Sequence, residues 1–357
     1  MIVLGIESSA DETSAAVVKD GTKLLSNVIA SSLDLHIAFG GIVPEIAARS
    51  HIEVIIPTVE QALLDAKTGW DNIDAIGVTY GPGLGGSLLI GVMTARTLAI
   101  ARKKPLYAVN HVEAHVYASF LTEAANGQKL IANSMNDKQP KFPILALIVS
   151  GGHTQLVFFT DHFNYKVLGQ TADDAIGEAF DKVAKMLGLP YPGGPSVSEC
   201  AKSGGPKAIK LPKAKMTNRL DFSFSGLKTA VLRAAQELAG KDYTLPSTQL
   251  PGLLNASQKA NLAASFQRVA LESVVEALLK AETEYAPASV IVAGGVASSQ
   301  ELRQMISQKI GTPLFIPEFS LCTDNAAMIA VNAYFQASLK RPPADPYKLG
   351  IDPNLSM

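Results

Sequence analysis

Two similar patterns of apolar and polar residues stand near the beginning and the middle of the chain. Residues 2–6 are apolar, a polar loop follows, and residues 13–18 form a second mainly apolar run, which predicts a hairpin. Residues 144–149, the loop SGGHT and residues 155–159 predict a second hairpin of the same form. A serine and a threonine four residues apart occupy equivalent places in both hairpins. This repeat predicts two related lobes, each of which begins with a hairpin.

Strands alternate with helices between and after the hairpins, which predicts α/β layers. The predicted elements are a helix at 44–66, a strand at 75–80, a helix at 87–101, a strand at 106–109, a helix from His111 with Asn110 as its N-cap, a strand at 289–293, a helix ending near 309 and an apolar helix at 326–339. We expect the last helix to pack back on the first lobe. The predicted domains are a first lobe at 1–122 that is completed by 325–340, a polar connection at 123–142 and a second lobe at 143–324.

Composition and charge narrow the class of protein. The chain has 357 residues, of which 47% are hydrophobic and only 18% charged, so it can bury a large core and is not intrinsically disordered. Its formal charge of −1 excludes a protein that coats nucleic acid by bulk positive charge. Residues 200–233, however, carry eight basic side chains and one acidic one, a local charge of +7. Such a run is either a phosphate-contacting surface or an ordinary solvated face.

Cysteine content and apolar stretches indicate a compartment. Two cysteines, Cys200 and Cys322, do not make a disulfide framework, which favours a reduced cytoplasm. The N-terminal residues lack the pattern of a signal or transit peptide. Residues 75–95 carry no charge but contain six glycines and Pro82, so we reject a membrane span there. We therefore expect a cytoplasmic protein that does not cross a membrane.

His111 and His115 are the first candidates for chemistry. Residues four apart on a helix lie about 40° from each other on one face, which suits two ligands of one metal ion. Two ordinary surface histidines have the same spacing. Asp324, which precedes the last long helix, is the best oxygen candidate for a third ligand, and Cys322 is a sulfur alternative whose apolar neighbours favour a packed thiol. Two histidines and one carboxylate suit iron or zinc acting as a Lewis acid.

The sequence HVEAH superficially resembles a zinc-protease motif. That motif needs a glutamate directly after the first histidine, but Val112 stands there. Glu113 lies about 200° around the helix from His111 and points away from the metal face. A protease mechanism is therefore disfavoured.

Several glycine loops follow apolar strands. Residues 81–86, GPGLGG, match a dinucleotide-binding pattern, but the acid expected about 20 residues later is missing, so we reject nicotinamide binding. The loops SGGHT from Ser150 and AGGVASS from Ala293 follow strands where backbone N–H groups can face an anion. PYPGGPSVSE, from Pro190, lets a sugar or base approach the backbone closely. Together these loops predict a nucleotide cleft between the lobes.

Nine motifs that occur in order across nearly the whole chain resemble one known family. They are GIESSADET, HIAFGGIVPEIAARSH, GPGLGGSLLIG, HVEAHVYA, VSGGHTQL, GEAFDKVAKMLGLPYPGGP, DFSFSGLKTA, AGGV and CTDNAAMIA. The set is similar to the tRNA N6-adenosine threonylcarbamoyltransferases of the TsaD type, formerly called the O-sialoglycoprotein endopeptidase or glycoprotease family. The resemblance implies the two-lobed α/β fold of actin, sugar kinases and heat-shock ATPases, with a nucleotide cleft between the lobes.

The resemblance also implies a reaction and its participants. The threonylcarbamoyl group of threonylcarbamoyl-adenylate moves to N6 of the adenosine at position 37 of tRNA, next to the anticodon, which forms N6-threonylcarbamoyladenosine and releases AMP. One divalent metal per subunit, iron rather than zinc, and ATP or threonylcarbamoyl-adenylate are the implied cofactors. The implied partners are tRNA, a catalytically inactive paralogue of the TsaB type on the first lobe, a small ATPase of the TsaE type and a TsaC-type synthase that supplies the adenylate.

The family's functional positions carry over to particular residues of this sequence. Its metal ligands fall on His111, His115 and Asp324. Glu12 would lie near the phosphates, and no catalytic residue is assigned beyond the metal ligands. The substrate and nucleotide contacts fall on Ile148, Val149, Ser150, Gly151, Gly152, Asp181, Gly194 and Ser198.

Two positions depart from the family pattern. Ser299 stands where the family usually has an asparagine that touches the nucleotide, and we expect a weaker or water-mediated contact there because a hydroxyl reaches less far than an amide. Ala10 replaces a cysteine, so no thiol at that position is essential. Two alternatives remain, namely a sugar or acetate kinase on the same fold and a non-enzymatic actin-like ATP-binding module.

Overall fold

The computed structural model describes residues 1–132 and 139–357. The chain divides into two compact units, of which the first comprises Met1–Lys141 with Phe315–Met357 and the second Phe142–Leu314. Asp324 thus belongs to the same unit as the two candidate histidines. The domain boundaries expected from the sequence stay a prediction, and residues 133–138 of the expected connection lie outside the described residues.

The first unit begins with most of its strands and helices in one continuous stretch. They are β1 (Ile2–Glu7), β2 (Glu12–Lys19), β3 (Lys23–Ser31), α1 (Leu33–His36), α2 (Pro44–Asp65), β4 (Ala75–Gly81), α3 (Gly85–Arg102), β5 (Leu106–Asn110), α4 (His111–Tyr117), β6 (Glu123–Ala124) and β7 (Ile131–Ala132). The second unit contains β8 (Ile144–Val149), β9 (Thr154–Asp161), β10 (Asn164–Gln170), α5 (Ile176–Leu187), α6 (Gly193–Ala201), α7 (Ser225–Leu238), α8 (Ala256–Tyr285), β11 (Ser289–Ala293) and α9 (Gln300–Ser307). The chain then forms β12 (Leu314–Pro317) and α10 (Ala326–Ser338).

The sheet of the first unit has the strand order β5-β4-β1-β2-β3-β6. The first hairpin is confirmed, because β1 pairs antiparallel with β2, while β1 and β5 each lie parallel to β4. Side chains alternate between the two faces of a strand. Leu4 and Ile6 therefore share one face, where they belong to a buried cluster with residues of α2 and α3 such as Ile55 and Val92.

The opposite face of this sheet carries α10. A Cβ atom on Gly5 would lie 2.2 Å from the carbonyl oxygen of Ala326, and one on Gly77 would lie 2.6 Å from Cβ of Ala333. Glycine at both positions thus permits a close approach of helix and sheet. The expectation that the last long helix packs on the first lobe is confirmed. Glu7 follows Gly5 by two residues on β1, so its side chain points to the same face of the sheet as Gly5. This is the face against which the first residues of α10 pack.

Residues after α10 run back over α3 and the glycine loop at 81–86. Arg96 donates hydrogen bonds to the carbonyl oxygens of Pro346, Tyr347 and Leu349. A Cβ on Gly81 would lie 2.0 Å from the carbonyl oxygen of Asp352. Backbone of the residues after α10 thus covers Gly81, at the start of the glycine loop.

The second unit repeats the hairpin theme. Its strands run in the order β10-β9-β8-β11, with β8 antiparallel to β9 and parallel to β11. The second hairpin and the strand at 289–293 are therefore confirmed. In the part of the chain that the structure describes, no helix meets the length and apolarity that a membrane crossing requires.

Candidate metal centre and glycine loops

The two histidines are the first and the fifth residue of the short helix α4. Asn110 caps this helix as predicted, because its side-chain oxygen accepts hydrogen bonds from the N–H groups of Val112 and Glu113. His111 and His115 are both buried, and their ring centroids lie 4.8 Å apart. The fixed start of the helix thus places two imidazoles side by side on one face.

Asp324 supplies a carboxylate at the point where the two rings meet. Its Oδ1 lies 3.4 Å from Nε2 of His111 and 3.5 Å from Nε2 of His115. Bonds of about 2.1 Å at tetrahedral angles separate two ligand atoms by about 3.4 Å, so these distances fit one metal ion. The turn before α10 is held by Asn325, which accepts from the N–H of Met328 and donates to the carbonyl oxygen of Thr323.

Charge at this centre is tightly balanced. Burial disfavours a charged His111 ring, but the carboxylates of Asp324 and Glu7 outweigh burial and raise the pKa of His111 well above its usual value. Burial likewise opposes ionisation of Glu7, and the adjacent His111 outweighs it and lowers the pKa of Glu7. The pocket therefore favours a positive charge at His111. A metal ion supplies positive charge at the same place and requires the neutral imidazole, so we expect its binding to release a proton.

Glu12 lies at the start of β2 in the same acidic environment. Burial is the largest cause, and the charges of Asp324 and Asp11 add to it, so that the pKa of Glu12 is raised to about 9. Without an added cation this carboxyl group is therefore protonated at neutral pH. It can donate a hydrogen bond or a proton in that state.

Two polar residues near the triad, Glu113 and Cys322, make packing contacts. Oε1 of Glu113 accepts a hydrogen bond from Nδ2 of Asn332 in α10, at 2.8 Å. Glu113 is thus held by a helix contact. The thiol of Cys322 is buried and lies 3.5 Å from the carbonyl oxygens of Pro317 and Glu318, which is the packed environment that its neighbours predicted.

Sequence reasoning missed Glu7, which falls in the polar loop predicted after residue 6. It ends β1, is fully buried, and its carboxylate accepts hydrogen bonds from Nδ1 of His111, Oγ1 of Thr79 and the N–H of Ser9. The available signal was the alternation along β1, which puts Glu7 on the face of Gly5 rather than in solvent. A buried carboxylate is costly unless it is paired and hydrogen-bonded, so this placement marks a site.

The glycine loops of the second unit gather at the carboxyl ends of β8 and β11. Ile148 pairs with Ala293, so the loops that follow these two strands are adjacent. A Cβ on Gly294, whose φ is +93°, would lie 2.5 Å from the carbonyl oxygen of Val149. Ile148 and Val149 are fully buried, so the residues of this strand end that a ligand can reach are those of the loop that follows, and the contacts expected for these two residues stay predictions.

Ser150 organises the loop that follows β8. Its hydroxyl accepts from the N–H of His153, and its carbonyl oxygen accepts from the N–H of Gly177 in α5. Gly151 and Gly152 are exposed, and no heavy atom of the described residues would lie within 4 Å of an added Cβ on either of them. Their N–H groups are thus accessible to a ligand at the start of α5.

Asp181 and the second glycine pair meet further along α5. Oδ1 of Asp181 accepts from the N–H of Gly193 at 2.6 Å, at the start of α6. Gly194 and Ser198 belong to the same helix, α6, and an added Cβ on Gly194 would meet open space among the described residues. Ser299 is the N-cap of α9, since its hydroxyl accepts from the N–H of Leu302. The roles of these residues toward a ligand stay predictions.

Comparison with known proteins agrees with this geometry. The sequence model described as tRNA N6-adenosine threonylcarbamoyltransferase matches residues 23–331. A protein of that name from Thermomicrobium roseum is 47% identical over 346 residues, which are 94% of this chain and 92% of that protein. Another from Symbiobacterium thermophilum is 47% identical over 337 residues, 94% of this chain and 91% of that protein.

A solved structure shows the fold. Full-length HypF, in a phosphate- and nucleotide-bound form, matches 94% of this chain and 55% of its own with a TM-score of 0.55 at 12% identity. The mixed α/β fold predicted from the sequence is confirmed, and it is similar to the fold of this part of HypF. The identity to the curated relatives and the match over most of the sequence decide the family. The chain belongs to the tRNA N6-adenosine threonylcarbamoyltransferase family.

Proposed function

We propose that this protein transfers the threonylcarbamoyl group of threonylcarbamoyl-adenylate to N6 of adenosine 37 in tRNA. The N6 amine attacks the carbonyl carbon of the carbamoyl–phosphate anhydride, the new C–N bond forms, the bond to the phosphate oxygen breaks, and the amine loses one proton while AMP leaves. The observation that supports this most strongly is the triad of the buried His111 and His115 with the half-buried Asp324, in a chain of this family.

The triad fits a divalent metal, and we propose Fe²⁺ rather than Zn²⁺. Two imidazole nitrogens and one carboxylate, with further positions open, form the donor set typical of non-haem iron. The triad residues would hold the metal, whose chemistry is to polarise and orient the threonylcarbamoyl group. Glu12, whose pKa is raised to about 9 in the absence of a metal ion, would lie near the phosphates of the adenylate.

The second unit would bind the nucleotide. The backbone of the exposed Gly151 and Gly152 and of the half-buried Gly194 suits the phosphates of ATP or of threonylcarbamoyl-adenylate, because N–H groups in glycine loops and at the start of α6 favour anions. The N–H of Gly193 is held by Asp181, which fixes the start of α6. Ser198 would contact the ligand from the same helix.

The first unit offers a surface for the inactive TsaB-type paralogue. Ile52 and Ile56 on α2, and Leu89 and Met93 on α3, are exposed apolar side chains at a spacing of four residues, so each pair lies on one helix face. An exposed apolar patch of this kind is typical of a protein interface. A small ATPase of the TsaE type and a TsaC-type synthase complete the proposed set of partners.

The experiment that tests the function combines this protein with the three partners, tRNA and threonylcarbamoyl-adenylate. We expect N6-threonylcarbamoyladenosine in the digested tRNA by mass spectrometry, together with an equal amount of AMP. No modified adenosine in the complete mixture would contradict the proposal. Formation of ADP from ATP and a sugar or acetate would favour the kinase alternative, and full function of a His111→Ala variant would favour the ATP-binding module.

The basic run at 200–233 is a weaker tRNA surface than its charge indicated. Lys213 pairs with Glu272 and Glu276 of α8, and Lys228 pairs with Asp174. Two further pairs, Lys202 with Glu199 and Arg219 with Glu284, neutralise more of the run. Lys207, Lys210 and Lys215 are exposed and take part in none of the ion pairs found among residues 1–132 and 139–357.

Replacing Lys207, Lys210 and Lys215 together by Gln should weaken tRNA binding and reduce its salt dependence. Each lysine that contacts a phosphate contributes about 0.9 to the slope of log K against log salt, so the slope should fall by up to about 3. Filter binding at several salt concentrations measures this. Lys213→Gln is the control, because its ammonium group is already paired with two glutamates, and it should leave the slope unchanged. An unchanged slope in the triple variant would identify the run as a solvated face.

Ser299→Asn should tighten nucleotide binding. Asparagine also caps helices well, so α9 should keep its start while the longer amide reaches further than the hydroxyl. One added hydrogen bond is worth about 0.5–1.5 kcal/mol, which corresponds to an increase in affinity of about twofold to tenfold. Titration calorimetry with ATP measures the change, with Ser299→Ala as the control that should show no gain. Equal or weaker binding by the asparagine variant would contradict the expectation.

A further inference from the structure

Glu7 contacts His111 on the side of the ring that faces away from Asp324. Its Oε2 lies 3.0 Å from Nδ1 of His111, while Nε2 on the opposite side of the same ring faces Asp324. An imidazole that binds a metal through one nitrogen carries its proton on the other. The hydrogen bond at Nδ1 therefore decides which nitrogen faces the triad.

The carboxylate of Glu7 is itself held in place from two directions. Oγ1 of Thr79 on β4 donates to Oε2 at 2.6 Å, and the N–H of Ser9 donates to Oε1 at 2.5 Å. Glu7 is fully buried, so these donors replace water as its partners. A carboxylate fixed in this way is placed to accept a hydrogen bond from the Nδ1–H group of His111.

We propose that Glu7 is the positioning residue of the metal centre, which fixes His111 as the Nδ1–H tautomer and directs Nε2 toward the metal. This inference rests on the proposed metal site but does not depend on the transferred group or on tRNA. Carboxylates that hold a metal-binding histidine in this manner orient the ring and raise its basicity. Glu7 does so from the end of β1, while the ring it orients lies on α4.

Ser9 is the competing partner for the same ring atom. Its hydroxyl lies 3.1 Å from Nδ1 of His111, almost as close as the carboxylate. A hydrogen bond to an ionised carboxylate is stronger than one to a neutral hydroxyl, so the Nδ1–H group of His111 donates to Glu7 rather than to Ser9. Replacement of the two residues should therefore have unequal effects.

The test measures Zn²⁺ affinity of the full chain by titration calorimetry with a competing chelator. Glu7→Gln should weaken Zn²⁺ binding by about 10-fold to 100-fold, and Ser9→Ala should weaken it less. Thr79→Val, which removes one of the donors to the carboxylate, should lower the affinity by a smaller factor in the same direction. This milder variant keeps the proposal testable if Glu7→Gln does not fold.

A matched control and a spectroscopic readout separate positioning from general damage. Glu113→Gln changes another buried glutamate nearby, on α4 itself, whose Oε1 contacts Asn332, and it should leave the affinity within about twofold of the unsubstituted protein. In Zn²⁺-loaded protein with ¹⁵N-labelled histidine, Nδ1 of His111 should retain its proton and Nε2 should be bound to the metal. In Glu7→Gln the Nδ1–H proton should move upfield and exchange faster with water.

Two results would overturn the proposal. One is a Glu7→Gln variant that binds Zn²⁺ as tightly as the Glu113→Gln control does, or that loses less Zn²⁺ affinity than Ser9→Ala does. The other is a spectrum in which Nδ1 of His111 lacks a proton. Neither result would bear on the transfer reaction, which is measured separately by the modified nucleoside in tRNA.

Discussion

Asp324→Asn should lower threonylcarbamoyl transfer by about a hundredfold or more. The neutral amide is a poor metal ligand, and the variant removes the only carboxylate of the triad among the described residues. Lewis-acid stabilisation is worth several kcal/mol, and each 1.4 kcal/mol changes a rate about tenfold. Binding of ATP should change little, because the proposed nucleotide contacts, apart from Glu12 near the phosphates, belong to the second unit.

Two measurements and one control decide this prediction. Initial rates of tRNA modification report the transfer, and elemental analysis of the purified variant reports the metal, which should fall in parallel. Glu318→Gln changes a carboxylate of the same connection before α10 that is outside the triad, and it should retain both metal and rate. If Asp324→Asn kept its rate without metal, the triad would have no part in the reaction.

The local part of the metal centre could be predicted from the sequence. His111 and His115 share a helix, so their spacing alone places both rings on one face, and Asn110 is recognisable as a cap. Asp324 was identified by its residue type and its place before a long helix, although more than 200 residues separate it from the histidines. Its approach to Nε2 of both rings depends on how α10 packs against the sheet, which no local pattern contains.

Long-range pairing explains what the sequence did not reveal. The role of Glu7 depends on the register of β1 beside β4, which brings Thr79 to its carboxylate, and on where α4 begins. The basic run was misleading for the same reason. Lys213 is neutralised by Glu276, which follows it by 63 positions and comes close only because the intervening chain folds back. Patterns of short period predict elements, whereas charge balance at a site is decided by contacts between them.

Glu12→Gln should make the protein more stable at alkaline pH in the presence of a metal chelator. In the folded chain the pKa of Glu12 is about 9, because burial and the charges of Asp324 and Asp11 oppose its ionisation. In the unfolded chain the group loses its proton near pH 4.3. Between these values the folded state binds the additional proton, so the free energy of unfolding falls as pH rises, by up to about 1.4 kcal/mol per pH unit.

The glutamine variant lacks this titration. Its stability should match that of the unsubstituted protein near pH 4 and exceed it by at least about 1–2 kcal/mol at pH 8, which shifts the melting temperature by several degrees. Thermal unfolding from pH 5 to pH 9 measures the difference. Glu45→Gln, an exposed change in the first turn of α2, is the control and should not show the widening gap. Parallel curves for Glu12→Gln and the unsubstituted protein would contradict the raised pKa.

Adding Zn²⁺ should then close the gap between the two proteins. A divalent cation held by Asp324 cancels the negative charge that opposes ionisation of Glu12, so the pKa of Glu12 should fall toward its ordinary value. The unsubstituted protein should gain more stability from Zn²⁺ at pH 8 than the Glu12→Gln variant does, because Zn²⁺ allows Glu12 to release the proton that it holds in the metal-free folded state. Equal gains in both proteins would show that the charge of Asp324 does not affect Glu12. The raised pKa of Glu12 would then have other causes, namely burial and the charge of Asp11.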